Sequence, residues 1–229
     1  MRDKTYYRDR IQSMQERNPF YSNTDIAYHL ILQDILDGSL QPLDKVPQDI
    51  LAELFDMSRT PVRDALLRLE KENFIVKSEK AGYQVHKISF KEYFEFCDFR
   101  LLIESHAAYL AANSMVEAEM EELGHVLRAF NEACDEACNE QNVDKIFELD
   151  ERFHELIVKG SHNRYLYKAF LNYKSKKKFY FTLNVKGQRN ITRMKNKHNK
   201  IYEAIRQNDE DEASRCMANH LKIFFNFYN

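Results

Sequence analysis

Tryptophan is absent from this 229-residue chain, and only five glycines and four prolines interrupt it. So few backbone breakers leave little room for a turn-rich architecture and argue for helices joined by short connections. The four cysteines, Cys97, Cys134, Cys138 and Cys216, lack the spacing of a disulfide framework. Cys134 and Cys138 lie four apart in a helical pattern, as packing residues do. No apolar run is long enough to span a bilayer, and Met1–Phe20 has no signal-peptide pattern, so the expectation is a cytoplasmic chain with no membrane partner. The formal net charge of −2 excludes a bulk basic field, and any nucleic-acid surface has to be local. What remains is 44% hydrophobic and 31% charged, the composition of a globular protein, at a length comfortable for two domains.

The most informative stretch is Ser58–Leu66. Ser58 or Thr60 suits a helix N-cap, and Pro61 suits a first turn whose N–H groups lack partners. Val62, Ala65, Leu66 and Leu69 keep the spacing of a buried stripe, which leaves Arg59 and Arg63 one turn apart facing outward. Two exposed arginines at a helix start can grip phosphates or guanine edges in a major groove. Taken alone, the stretch reads first as a plain amphipathic helix with a solvated basic face.

The flanking sequence decides between the two. Ala27, Leu30, Ile31 and Ile35 give a helix that Asp37-Gly38 stops. Gln48–Phe55 gives a short second helix with Ile50, Leu51 and Leu54 apolar, and Asp56-Met57 is a tight turn before Ser58: helix-turn-helix spacing. Phe74–Val76 and Tyr83–Ile88 read as two strands of a hairpin with Gly82 near its tip, a wing. Arg59 to Lys80 holds six basic and four acidic residues, a modest local positive patch. Residues 1–23 show no clear period and are expected to be an extension.

The run Ile35–Pro42, followed by LAELFDMSRTPVRDALLRLEKENFI from Leu51, resembles the winged-helix domain of GntR-family transcription regulators. The resemblance implies DNA contacts from Arg59, Thr60 and Arg63, with Ser58 at the helix start and Gly82 shaping a wing that reaches the minor groove. Three positions depart from the family pattern. Leu43 stands where a glycine is usual, Asn73 replaces a glycine before the first wing strand, and Asp49 occupies a position that is often arginine. A carboxylate at Asp49 would repel phosphate.

From Phe90 onward the pattern is helical throughout, in segments near 90–113, 117–141, 143–160, 163–186, 188–207 and 209–228. The fold class expected is therefore mainly α: an extension (1–23), a winged helix-turn-helix (24–88) and an all-α six-helix bundle (89–229). Charge is segregated within the bundle. Glu117–Glu151 has twelve acidic and two basic residues, and Leu156–Tyr202 has thirteen basic and no acidic ones. Faces that complement each other within the bundle or across a dimer are the expectation, ahead of a second nucleic-acid surface.

Four polar residues fall on apolar stripes of this bundle. Asp150 and His154 lie among Ile146, Leu149, Phe153 and Ile157; His198 lies among Ile191, Met194, Ile201 and Ile205. His220 lies among Ala213, Cys216, Met217, Leu221 and Phe224. An unpaired buried carboxylate costs several kcal/mol, so one Asp and three His pointing inward suggest a shared divalent metal. Zinc suits that set, as do nickel, manganese or iron, with positions left open for water or ligand. On periodicity alone core histidines remain the favoured reading, with Asp150 and His154 paired at i, i+4.

Arg100–Glu104, Asp150-x-x-Phe153-His154, Asn163, His198-x-x-Ile201 and His220-Leu221 resemble the FCD effector domain of FadR-type regulators, with all four metal-ligand positions occupied. His29, His86, His106, His125 and His162 match no such position. Arg100 and Glu104, one turn apart, form an internal salt bridge or leave Arg100 for the carboxylate of an effector. The function expected is a homodimeric, non-enzymatic regulator of operator DNA, modulated by a small organic acid at a metal site. A metal-responsive regulator is the first alternative. A metal-dependent hydrolase is the second, weakened by the lack of an HExxH motif or an obvious general base.

Overall fold

The computed structural model describes residues 2–78, 82–136, 143–184 and 191–222. The chain separates into two compact units, Met1–Ser89 with Lys176–Lys186, and Phe90–Ser175 with Gly187–Asn229. Among the described residues no helix is long and apolar enough to cross a membrane.

The first unit contains helices α1 (Lys4–Arg17), α2 (Asn23–Leu36), α3 (Gln48–Phe55) and α4 (Arg59–Lys71), then strands β1 (Ile75–Ser78) and β2 (Gly82–Val85). Ser22 and Asp25 form a reciprocal capping box that starts α2, satisfying N–H groups which the helix itself leaves open. The strands pair antiparallel, with Ile75 opposite Val85 and Ser78 opposite Gly82. The α2–α3 loop adds an edge to this ribbon. Val46 N–H donates to the Tyr83 carbonyl at 2.9 Å, and Val85 N–H to that of Asp44 at 2.9 Å. The second wing strand is shorter than the expected Tyr83–Ile88, and residues 79–81 of the tip lie outside the described residues.

Residues 1–23 differ from expectation, because they contain α1. Asp3 caps it, accepting from the Tyr6 backbone N–H at 2.9 Å. Its one fully buried side chain is Tyr7, which packs edge-on against Phe55 with ring centroids 4.9 Å apart. One deep anchor, with Tyr6, Ile11 and Met14 only partly covered, makes no 3.6-residue stripe in the sequence. The core around Tyr7 takes in the expected Ala27, Leu30, Ile31 and Ile35 of α2 and Val62, Ala65, Leu66 and Leu69 of α4. Ile50 does not join it and is 48% exposed; Leu51, Ala52 and Phe55 are the buried residues of α3. Phe179, grouped with this unit, sits edge-on to Phe74 at 5.3 Å.

The second unit consists of α5 (Phe90–Ser114), α6 (Glu117–Asp135), α7 (Val143–Gly160), the first part of α8 (Arg164–Asn184), α9 (Ile191–Arg206) and α10 (Glu210–Leu221). Ala108, Ala111 and Ala112 on α5 share a core with Phe153 and Ile157 on α7, Ile201 and Ile205 on α9 and Ala213 and Met217 on α10. Small side chains on α5 let neighbouring helices approach closely. The expected continuation of α6 to 141, with Cys138, and of the last helix to 228, with Phe224, lies outside the described residues. The basic run meets the acidic one where Lys195 pairs with Asp135 at 2.6 Å; at the boundary between the runs Lys174 pairs with Glu155 at 2.9 Å and Arg152 with Glu122 at 2.5 Å.

Candidate functional site

In the first unit α3 and α4 form the helix-turn-helix. Asp56 closes α3 in the left-handed conformation (φ 54°, ψ 43°), which reverses the chain in two residues. Ser58 is the N-cap of α4, extended at φ −67° and ψ 163°, with no side-chain capping bond. Its hydroxyl and that of exposed Thr60 both belong to the first turn of the helix. Arg59 projects from that turn and Arg63 from the next, with side chains 74% and 60% exposed. Asp49 sits beside them: its Oδ1 accepts from Arg59 Nε at 2.9 Å, so the feature that sequence reasoning took as phosphate repulsion is a partner of one of the two arginines. Gly82 has φ +73°, a conformation L-residues rarely adopt, at the start of the second wing strand.

In the second unit α7, α9 and α10 bring the other four candidates together. His154 Nε2 lies 3.1 Å from His220 Nε2, and His198 Nε2 lies 3.3 Å from the same atom. Asp150 Oδ1 is 3.3 Å from His198 Nε2 and 3.7 Å from His154 Nε2. One donor atom from each residue falls within 4.8 Å of every other, and all four side chains are buried. The i, i+4 spacing on α7 puts Asp150 and His154 on one face, and Phe153 and Phe130 wall the cluster against His198.

The donor chemistry fits a cation. Three imidazole nitrogens converging with a carboxylate form a donor set of the kind that a divalent cation takes up. Metal bonds of about 2.0–2.2 Å in a tetrahedron separate donor atoms by about 3.3–3.6 Å, and four of the separations here lie between 3.1 and 3.7 Å, with all donor atoms within 4.8 Å of one another. Burial first, then the neighbouring His198 and His154, hold the His220 imidazole well below its ordinary pKa, in the neutral form that binds metals.

Arg100, one turn before Glu104 on α5, is also buried. Its Nε donates to Glu104 Oε1 at 2.7 Å and its Nη2 to Oε2 at 3.4 Å. Burial draws the guanidinium pKa down, but Glu104 outweighs this and holds it above the ordinary value. The Tyr173 hydroxyl donates to Glu104 Oε1 at 2.7 Å, and His154 Nδ1 lies 2.5 Å from Glu104 Oε2. The sequence links Arg100 with Glu104 but gives no sign of Tyr173 or of the link to His154. Contacts between helices far apart in sequence leave no periodic trace. The remaining histidines lie elsewhere; His162 pairs with Glu119 at 2.9 Å, and His29 stacks on Tyr21.

The family model for the FCD domain matches residues 95–222, and the model for bacterial regulatory proteins of the gntR family matches residues 23–85. The chain belongs to the GntR family. It is a DNA-binding transcription regulator with an FCD effector-binding domain. This GntR-family chain is 26% identical to the uncharacterized HTH-type transcriptional regulator YdhC of Bacillus subtilis, over 90% of each chain. It is 24% identical to the HTH-type transcriptional repressor RspR of Escherichia coli, over 90% of this chain and 88% of that one. Among solved structures, E. coli McbR/YncC shares the fold with a TM-score of 0.72 at 20% identity, covering 92% of this chain and all (100%) of that one. A GntR transcriptional regulator from Rhodococcus sp. RHA1 also reaches 0.72, at 15% identity, over 91% of this chain and 100% of that one.

Proposed function

We propose that this GntR-family regulator binds a pseudo-palindromic operator as a homodimer, and that a small organic acid bound at a metal site in the FCD domain controls that binding. Ser58, Arg59, Thr60 and Arg63 make the phosphate and base contacts, and Gly82 shapes the wing. A two-fold dimer reaches successive major grooves when its recognition helices lie about 34 Å apart. Asp150, His154, His198 and His220 hold the cation, zinc being the ion that three imidazoles and one carboxylate suit best, with nickel, manganese or iron compatible. A cation bound there supplies positive charge and open coordination positions for a carboxylate. Arg100, linked to His154 through Glu104, supplies a second positive charge for the acid's remaining oxygens. An acid need favour one arrangement of the dimer by only a few kcal/mol to change operator occupancy.

The observation that carries this reading is the convergence of four buried donor atoms in the domain matched by the FCD model. The test is elemental analysis of the purified full chain, followed by operator titration with metal kept saturating and a panel of hydroxy- and dicarboxylic acids added. Release by one acid supports the proposal. The near-complete burial of the four ligands favours a second reading, in which the metal itself is the signal. Operator release on chelation, with no response to any acid, selects that reading.

A further inference from the structure

Glu104 is fully buried, and three side chains on three helices converge on its two carboxylate oxygens. Oε1 accepts from Arg100 Nε and from the Tyr173 hydroxyl, each at 2.7 Å. Oε2 faces Arg100 Nη2 at 3.4 Å and His154 Nδ1 at 2.5 Å. A carboxylate oxygen and a ring nitrogen this close repel each other unless a proton lies between them. Arg100 matches the charge of the carboxylate, which favours Glu104 as the acceptor and the proton on Nδ1. In a neutral imidazole that leaves the lone pair on Nε2, the atom turned toward His220 Nε2 at 3.1 Å.

We propose that Glu104 is the positioning residue of the metal centre. It fixes His154 in the tautomer whose Nε2 lone pair faces the point shared with Asp150, His198 and His220, and thereby sets the affinity for a divalent cation. Carboxylates that accept from the far nitrogen of a metal-bound imidazole raise its basicity and hold its orientation. Arg100 and Tyr173 in turn hold the carboxylate, which gives the Arg100–Glu104 pair a task beyond bracing α5. The inference rests on the metal reading above.

Two measurements on the full chain test it. Long-range proton–nitrogen correlation spectra of the metal-free protein, with the His154 signals assigned by their loss in His154→Gln, report the tautomer directly. His154 is expected as the Nδ1–H form, and an Nε2–H form in the wild type overturns the inference with no need of a Glu104 variant. Competition with a chromophoric chelator then gives zinc affinity for the wild type and for Glu104→Gln, which keeps the shape and removes the charge. The expected result is a loss of about 10–100-fold. Equal affinities overturn the role of Glu104 while leaving the metal centre standing. A wild-type protein that takes up no zinc overturns the centre itself, and this inference with it.

Discussion

Leu43 and Asn73, where the family usually has glycine, both keep the backbone that glycine would adopt, at φ 74° and φ 59°. The two departures are not equivalent. Asparagine tolerates the left-handed region, whereas an aliphatic residue there costs about 1–2 kcal/mol. Leu43 is also 52% exposed, so its side chain recovers little by packing. Leu43→Gly is therefore expected to raise stability by about 1 kcal/mol in urea unfolding; an unchanged midpoint would mean the loop carries no such strain. The buried pair Tyr7 and Asp34 offers a second test, since the Tyr7 hydroxyl donates to the Asp34 carboxylate. Tyr7→Phe leaves that acceptor unsatisfied and is expected to cost about 1–3 kcal/mol. Burial pushes the Asp34 carboxyl up, with the Tyr7 bond opposing. Between the unfolded pKa of about 3.9 and the raised folded value, the native state keeps a proton that the unfolded chain has lost, so this group's contribution to stability falls as pH rises. Asp34→Asn removes that loss. Its stability relative to wild type should be more favourable at pH 7 than at pH 4, and the opposite trend would contradict the burial argument.

At the scale of the element, the first turn of α4 is readable in sequence because both its signals are local: the capping residue and the apolar period. Arg63→Ala is expected to weaken operator binding by about 1–3 kcal/mol if the guanidinium reads a base. Fluorescence anisotropy on the operator measures this, and unchanged affinity would remove Arg63 from the reading head. Asp49 is the element-level surprise. Its pairing with Arg59 spans α3 and α4, and both side chains are exposed, so solvent and salt weaken the pair. Asp49→Ala frees the guanidinium for phosphate and is expected to tighten binding and steepen the salt dependence by about one unit of slope. Weaker binding instead would show that Asp49 orients Arg59 for its contact.

For the whole molecule, a cation held by the Asp/His cluster would couple its binding to folding, because the four donors come from α7, α9 and α10. A cation that binds only the assembled site at a hundred times its Kd stabilises the fold by about 2.7 kcal/mol. Thermal unfolding followed with and without added zinc should show that gain in wild type, and His220→Ala should abolish it. An equal gain in the variant would place the ion elsewhere. The segregated charges behave as parts of one bundle, with Lys195–Asp135 joining the basic and acidic runs.

The sequence by itself determined what depends on neighbours along the chain. Helix periods placed the six bundle helices and the core face of α4, and the same periods put Asp150, His154, His198 and His220 on inward stripes. It could not determine α1, whose single deep anchor makes no stripe, nor the left-handed turn at Leu43, which no propensity favours. Tertiary structure alone decided that one donor atom from each of four inward residues lies within 4.8 Å of every other, and that Glu104 reaches His154 and Tyr173 as well as Arg100. The physical reason is range. A stripe records burial, which each helix encodes for itself, whereas convergence depends on how separate helices pack together.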